Sequence, residues 1–266
     1  VLLGVGLSYK PLKSLEIYGN VSQNYRSVTF NDIRITNPSL VVDPNITDEQ
    51  GYTFDLGARG RFGKYLSYDI GGFFLSYQDR LGVIVREVSD IQEERFRGNI
   101  GDAVTYGLES FVDWNIMETF SANRYLRMNY FVNLALTDSE YTSSEENNVE
   151  GKKVEFIPAI NLKTGLGFGY KNFLGSLQYT YLSKQFTDAT NSERDFESQS
   201  GIVGEIPAYD ILDLSLAYTF GRFKLESGIN NVLNNSYFTR RATGYPGPGI
   251  LPSQPRTWYA TLQIKL

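Results

Sequence analysis

Apolar residues fall on every second position through long stretches of this chain, and the links between stretches alternate strictly between very short and long. The last stretch is the plainest. Trp258, Ala260, Leu262, Ile264 and Leu266 share one parity, while Tyr259, Thr261, Gln263 and Lys265 share the other. A period of two marks a β-strand with one face in an apolar medium and one in water. Soluble sandwiches also use such strands. Here the stretches run to ten or more residues and recur along all 266, with tight and long links in turn, as in a transmembrane β-barrel.

Eleven strands are expected, over 1–9, 15–25, 51–62, 66–85, 96–116, 123–137, 156–170, 174–187, 207–220, 223–238 and 255–266. In the ninth, Leu212, Leu214, Leu216, Tyr218 and Phe220 oppose Asp213, Ser215, Ala217 and Thr219. A small soluble barrel turns its apolar parity inward, to form the core. A wide membrane barrel reverses this, and an Arg or Lys on its lipid face at mid-bilayer costs about 2–4 kcal/mol. The apolar parities here carry no charge. Arg127, Asp113, Lys163 and Lys265 all lie on the other face. A sandwich would also keep one face uncharged, so the links carry more weight.

The short links are 10–14, 63–65, 117–122, 171–173 and 221–222, and the long ones cover 26–50, 86–95, 138–155, 188–206 and 239–254. Aromatic residues flank all five short links: Tyr9; Phe62 and Tyr65; Phe120 and Tyr125; Tyr170 and Phe173; Phe220 and Phe223. That is the placement of an interfacial girdle, and it agrees with a composition in which 19 Tyr exceed 17 Phe. Mean hydropathy is only −0.28, because alternation hides a lipid face from any window average. The chain holds no Cys and no His, which excludes disulfides, His/Cys metal sites and His-based triads. A net charge of −5 argues against nucleic acid as a partner, and no cofactor is expected.

If the short links are periplasmic, the first and eleventh strands both run toward the periplasm. Single-chain bacterial barrels have an even strand number, so an odd number of strands is expected upstream. Residues 1–266 then form the C-terminal part of one barrel domain, and the opening Val1-Leu2-Leu3-Gly4-Val5-Gly6 is mid-protein sequence rather than a signal peptide.

Three segments carry a resemblance. Gly228-Ile229-Asn230-Asn231-Val232-Leu233-Asn234-Asn235-Ser236-Tyr237-Phe238 is similar to the "xNLFxxxY" element of TonB-dependent outer-membrane receptors. Pro252-Ser253-Gln254-Pro255-Arg256-Thr257-Trp258 resembles the start of their last strand. Asn24-Tyr25-Arg26-Ser27 through Asn37-Pro38, followed by Asp48-Glu49-Gln50-Gly51-Tyr52, resembles their "NP-x-L-x-PE" loop, closest to ferric dicitrate-type receptors. The resemblance implies an all-β transmembrane antiparallel barrel of 22 strands, of which eleven are here, in the outer membrane of a Gram-negative bacterium. It also implies a ferric chelate as ligand, siderophore or ferric citrate. The TonB complex would act through an N-terminal plug outside this segment. Outer-membrane lipid, lipopolysaccharide and the barrel-assembly machinery are the remaining implied partners. Leu266 departs from the usual terminal Phe or Trp, which is expected to weaken recognition by that machinery.

Loop arginines are the candidate ligand contacts, because guanidinium binds carboxylates bidentately. They are Arg26 and Arg34 in the first long link, and Arg240 and Arg241 at the start of the last. Asn231, Tyr237, Pro255 and Arg256 are read as structural, and local pairing with Glu93 and Glu94 is the expectation for Arg95 and Arg97. Asp138, Glu140, Glu145, Glu146 and Glu150 read as a solvated acidic run. Gly165, Gly167 and Gly169 read as positions that leave interior space. Without the resemblance, the residues leave open a passive porin-like channel, a barrel hydrolase with rim carboxylates, and a soluble carbohydrate-binding sandwich.

Overall fold

A computed structural model describes all residues except 36–39, 90–91, 121–124, 194–203 and 242–248, together with the side chains of 87–89 and 92–93. In chain order the elements are β1 (Gly4–Leu12), β2 (Leu15–Arg26), α1 (Phe30–Ile33), β3 (Leu40–Val42), β4 (Glu49–Phe62), β5 (Leu66–Ser89), β6 (Gln92–Asn115), α2 (Ile116–Phe120), β7 (Leu126–Ser143), β8 (Ile160–Tyr170), β9 (Phe173–Leu182), β10 (Tyr209–Phe220), β11 (Phe223–Asn230), β12 (Phe238–Arg241), β13 (Ile250–Pro252) and β14 (Thr257–Ile264). The order β1-β2-β4-β5-β6-β7-β8-β9-β10-β11-β14 forms one antiparallel meander. These are the eleven strands that the alternation predicts.

Register keeps the two faces separate across the whole wall. Leu7, Gly19, Leu56, Gly72, Leu108, Leu136 and Ile160 form one cross-strand row on the apolar face. Glu16, Arg59, Asp69, Phe111, Asn133, Lys163 and Thr180 form one on the other. A slip of one residue would reverse every side chain. Among the described residues nothing covers the apolar face: Leu56 is 67% exposed and Trp258 76%, as a lipid-facing surface requires.

The polar face is tied by side-chain contacts. Arg59 donates from Nε and Nη2 to the two Glu16 oxygens, each at 3.1 Å, and Tyr18 donates to Asp69 at 2.8 Å. Glycines on this face make room for their neighbours' side chains rather than for an empty lumen. A Cβ at Gly165 would lie 2.6 Å from the Phe131 ring, and one at Gly167 would lie 2.2 Å from the Asn129 side chain. The interior space expected there is therefore already filled by β7.

The buried apolar cluster lies at the long-loop end. Ile84, Ile100, Ala103, Tyr141, Val149, Val154 and Ala189 come from the β5–β6 hairpin, β7 and the two following loops. The hairpin continues to Ser89 and from Gln92, so the long link expected over 86–95 is mostly strand. β3 adds to β6 in parallel, and β12 pairs with β13. Strand β9 ends at Leu182 and β11 at Asn230, earlier than the alternation predicts.

Candidate functional site

Inward parity carries Asn24 and Arg26 to the end of β2, and Glu49 and Thr53 to the start of β4. Between them and β5–β6 lies a cavity of about 590 Å³, lined also by Asp32, Tyr77, Arg80, Arg97, Glu155 and Phe156. It opens at the long-loop end of the polar face.

One side is a clamp. Arg26 makes ion pairs with Asp32 and Glu49, each at 2.7 Å. Glu49 Oε1 also accepts the Leu81 N–H at 2.9 Å, joining β2, α1, β4 and β5. Asp32 accepts from the Thr29 N–H at 2.9 Å and hydroxyl at 2.6 Å, capping α1. Burial alone would raise the Asp32 carboxyl, but the Thr29 donors and Arg26 hold it below its ordinary value.

The other side holds two guanidinium groups without ion pairs among the described residues. Arg97 reaches the Asn31 and Asp32 carbonyl oxygens at 2.8 and 3.4 Å, and the Glu93 side chain of the expected local pairing lies outside the described residues. Arg80 stacks on Tyr77, 5.0 Å from the ring centroid, and its Nε is buried without a hydrogen-bond acceptor. Behind it Glu155 accepts from the Tyr141 hydroxyl at 2.8 Å. Burial pushes the Glu155 carboxyl up, against the attraction of Arg80. The cavity thus brings three guanidinium groups, Arg26, Arg80 and Arg97, together with the carboxylates of Asp32, Glu49 and Glu155.

The four candidate arginines are not brought together. Arg26 lines the cavity, with its charge already engaged. Arg34 is exposed beyond α1, where its backbone N–H donates to Phe30 O at 3.0 Å. Arg240 is exposed on β12, and Arg241 donates to the carbonyls of Gly204 at 2.9 Å and Glu205 at 2.7 Å. Arg80 and Arg97 were not singled out for this role. A bulge between Tyr77 and Arg80 sets the inward position of Arg80, and the Arg97 partners lie 65 and 66 residues away.

Asn231 is 3% exposed at φ +52°. Its side chain receives the Asn235 N–H at 3.0 Å and donates to Asn235 O at 2.9 Å. Tyr237 stacks on Tyr209 at 4.8 Å. Pro255 and Arg256 are exposed, and the Arg256 N–H donates to Asn234 Oδ1 at 3.1 Å. Asn37 and Pro38 lie outside the described residues. Of the acidic run, Asp138, Glu140, Glu145 and Glu150 are exposed, as a solvated run requires, while Glu146 is half-buried; Asp138 pairs with Lys153, and Glu146 with Arg86, each at 2.5 Å.

A family model described as "TonB dependent receptor-like, beta-barrel" matches residues 2–232. The ferric citrate transporter FecA in its unliganded form superposes with a TM-score of 0.76 at 22% identity, over 99% of this chain and 38% of that one. The ferric yersiniabactin uptake receptor FyuA from Yersinia pestis gives 0.71 at 17% identity, over 99% and 36%. The copper transporter OprC gives 0.71 at 16% identity, over 98% and 39%. This chain thus spans well under half the length of each, and the likeness extends through the last strand, beyond the family match. Taken with the open meander and its two faces, the match places the wall in the Gram-negative outer membrane: the chain belongs to the family of TonB-dependent receptor-like β-barrels.

Proposed function

We propose that the chain is the C-terminal half of the barrel of a receptor that takes up an anionic ferric chelate, with the arginine-lined cavity forming part of the ligand surface. The observation that carries this reading is the pair Arg80 and Arg97. Both sit on one cavity without ion pairs among the described residues, and Arg80 has a buried Nε lacking an acceptor. An iron chelate built from carboxylates or phenolates offers the matching acceptors. Citrate is the first chelate to test, because the structural neighbour FecA is a ferric citrate transporter. In the complete receptor, a plug preceding this segment would close the lumen and receive energy through TonB. Lipid, lipopolysaccharide and the assembly machinery would be its membrane partners.

The test uses cells carrying the full-length receptor and radiolabelled ferric citrate. Arg80→Gln and Arg97→Gln are each expected to lower uptake at limiting chelate by about tenfold, the equivalent of roughly 1.4 kcal/mol of binding. Arg34→Gln and Arg240→Gln should leave it near wild type. Unchanged uptake in cells lacking the receptor removes citrate as the ligand. Unchanged binding of every anionic chelate by both cavity variants removes the site.

A further inference from the structure

Arg80 stands on the cavity side only because β5 breaks its own alternation. Leu75 and Tyr77 line the cavity, whereas Gly72 belongs to the apolar row and Phe74 is exposed beside it. Continued unbroken, the period of two would give Arg80 the parity of Gly72 and Phe74, away from the cavity. Instead Tyr77 pairs with Ala103 and Arg80 with Gly101, so that Gln78 and Asp79 together face Asp102. Two residues opposite one make a β-bulge, which re-aims the side chain that follows. The extra residue reverses the parity, and Arg80 joins Tyr77 on the cavity wall.

The bulge has a cost, and side chains meet it. Asp79 lies at φ +53°, a conformation that disfavours most side chains, and the broken ladder takes partners from its backbone groups. Asp102 Oδ1 accepts the Asp79 N–H at 3.1 Å, and Glu49 Oε1 accepts the Leu81 N–H at 2.9 Å. The Asn99 amide donates to the Asp79 carbonyl oxygen at 2.6 Å. Asn99 is itself fixed by the first long link. Its Oδ1 accepts the Thr47 N–H at 2.7 Å, and its Nδ2 donates to Thr47 O at 3.0 Å.

These braces differ in what else they do. Glu49 lines the cavity and belongs to the Arg26 clamp. Asn99 is not among the lining residues, so its side chain reaches the cavity only through the bulge. We infer that Asn99 is a positioning residue for the ligand: it holds the Asp79 carbonyl against Thr47 and so keeps the bulge that turns Arg80 into the cavity. The inference rests on the chelate site proposed above and deepens it. An amide is required at position 99. Aspartate could still accept from Thr47, but it has no donor and would set a carboxylate oxygen against the carbonyls of Asp79 and Thr47.

The test is a double-mutant cycle on the full-length receptor in mild detergent, read by equilibrium binding of radiolabelled ferric citrate. Asn99→Asp should weaken binding about tenfold, as Arg80→Gln does. Asn99→Ala removes the donor without adding a charge, so it serves if the aspartate variant does not assemble, and should weaken binding severalfold. In Arg80→Gln/Asn99→Asp the second change should cost nothing further, because Asn99 acts through Arg80. A merely structural role would instead lower affinity equally with and without Arg80. Losses that multiply in the double variant therefore overturn the proposal. So does wild-type affinity in both Asn99 variants while Arg80→Gln binds weakly. Wild-type affinity in Arg80→Gln itself would remove Arg80 from the ligand surface, and the positioning role would fall with that reading.

Discussion

At the scale of single residues, Asn231 shows how a family motif translates into energy. Its backbone holds φ +52°, where Asn and Gly are tolerated and other side chains cost about 1–2 kcal/mol. Its buried amide closes the turn after β11 through both polar groups of Asn235. Replacing one partner leaves the others buried and unsatisfied, at about 1–3 kcal/mol. Asn231→Ala is therefore expected to lower the urea unfolding free energy of the micelle-bound receptor by about 2–5 kcal/mol. Asn231→Gly should recover the conformational part only. Equal losses in both variants would assign the whole effect to the hydrogen bonds. The structural reading of Asn231 was open to sequence reasoning, because an Asn cluster after a strand has few other uses. The roles of Arg80 and Arg97 were not, since each depends on a partner or bulge that no local pattern announces.

At the scale of elements, α1 and the loop core flank the same cavity and titrate in opposite senses. Asp32 lies below its ordinary value in the fold. Its contribution is present above an unfolded pKa of about 3.9 and is lost as pH falls through the lower folded value. Glu155 lies above its ordinary value. Its contribution is complete below an unfolded pKa of about 4.3 and is lost as pH rises through the raised folded value. Hydrogen exchange at Val149 and Val154, corrected for intrinsic rates, should show protection falling as pH rises from 4 toward 7. In Glu155→Gln that slope should vanish, since the amide oxygen can still accept from Tyr141. A slope identical in both proteins would mean that the carboxyl is ionised throughout. The two elements also mark the limit of reading by period. Long strands were legible because ten residues sample the period five times. The three-residue β3 and β13 sample it once, and tertiary pairing defines them.

At the scale of the whole molecule, strand direction decides what can complete the wall. β1 runs from the long-loop end to the short turn before β2, and with eleven strands in the meander β14 runs the same way. The two free edges are therefore parallel. They cannot meet as the antiparallel pair a closed barrel of this kind needs. A second copy does not help, because β14 of one would meet β1 of the other in the same parallel sense. Closure takes an odd number of further strands between the edges, and the expectation of an upstream half-barrel rests on that count. It leads to an experiment on two pieces. Residues 1–266 produced alone in the outer membrane should stay sensitive to protease, with the same gel mobility before and after boiling, because two unpaired edges remain. Co-expression with the receptor's preceding eleven strands should restore a heat-modifiable, protease-resistant barrel, whereas the preceding ten strands should not. Restoration by ten strands, or a resistant barrel from the chain alone, would show that the edges join in another way and that the directions assigned to β1 and β14 are wrong.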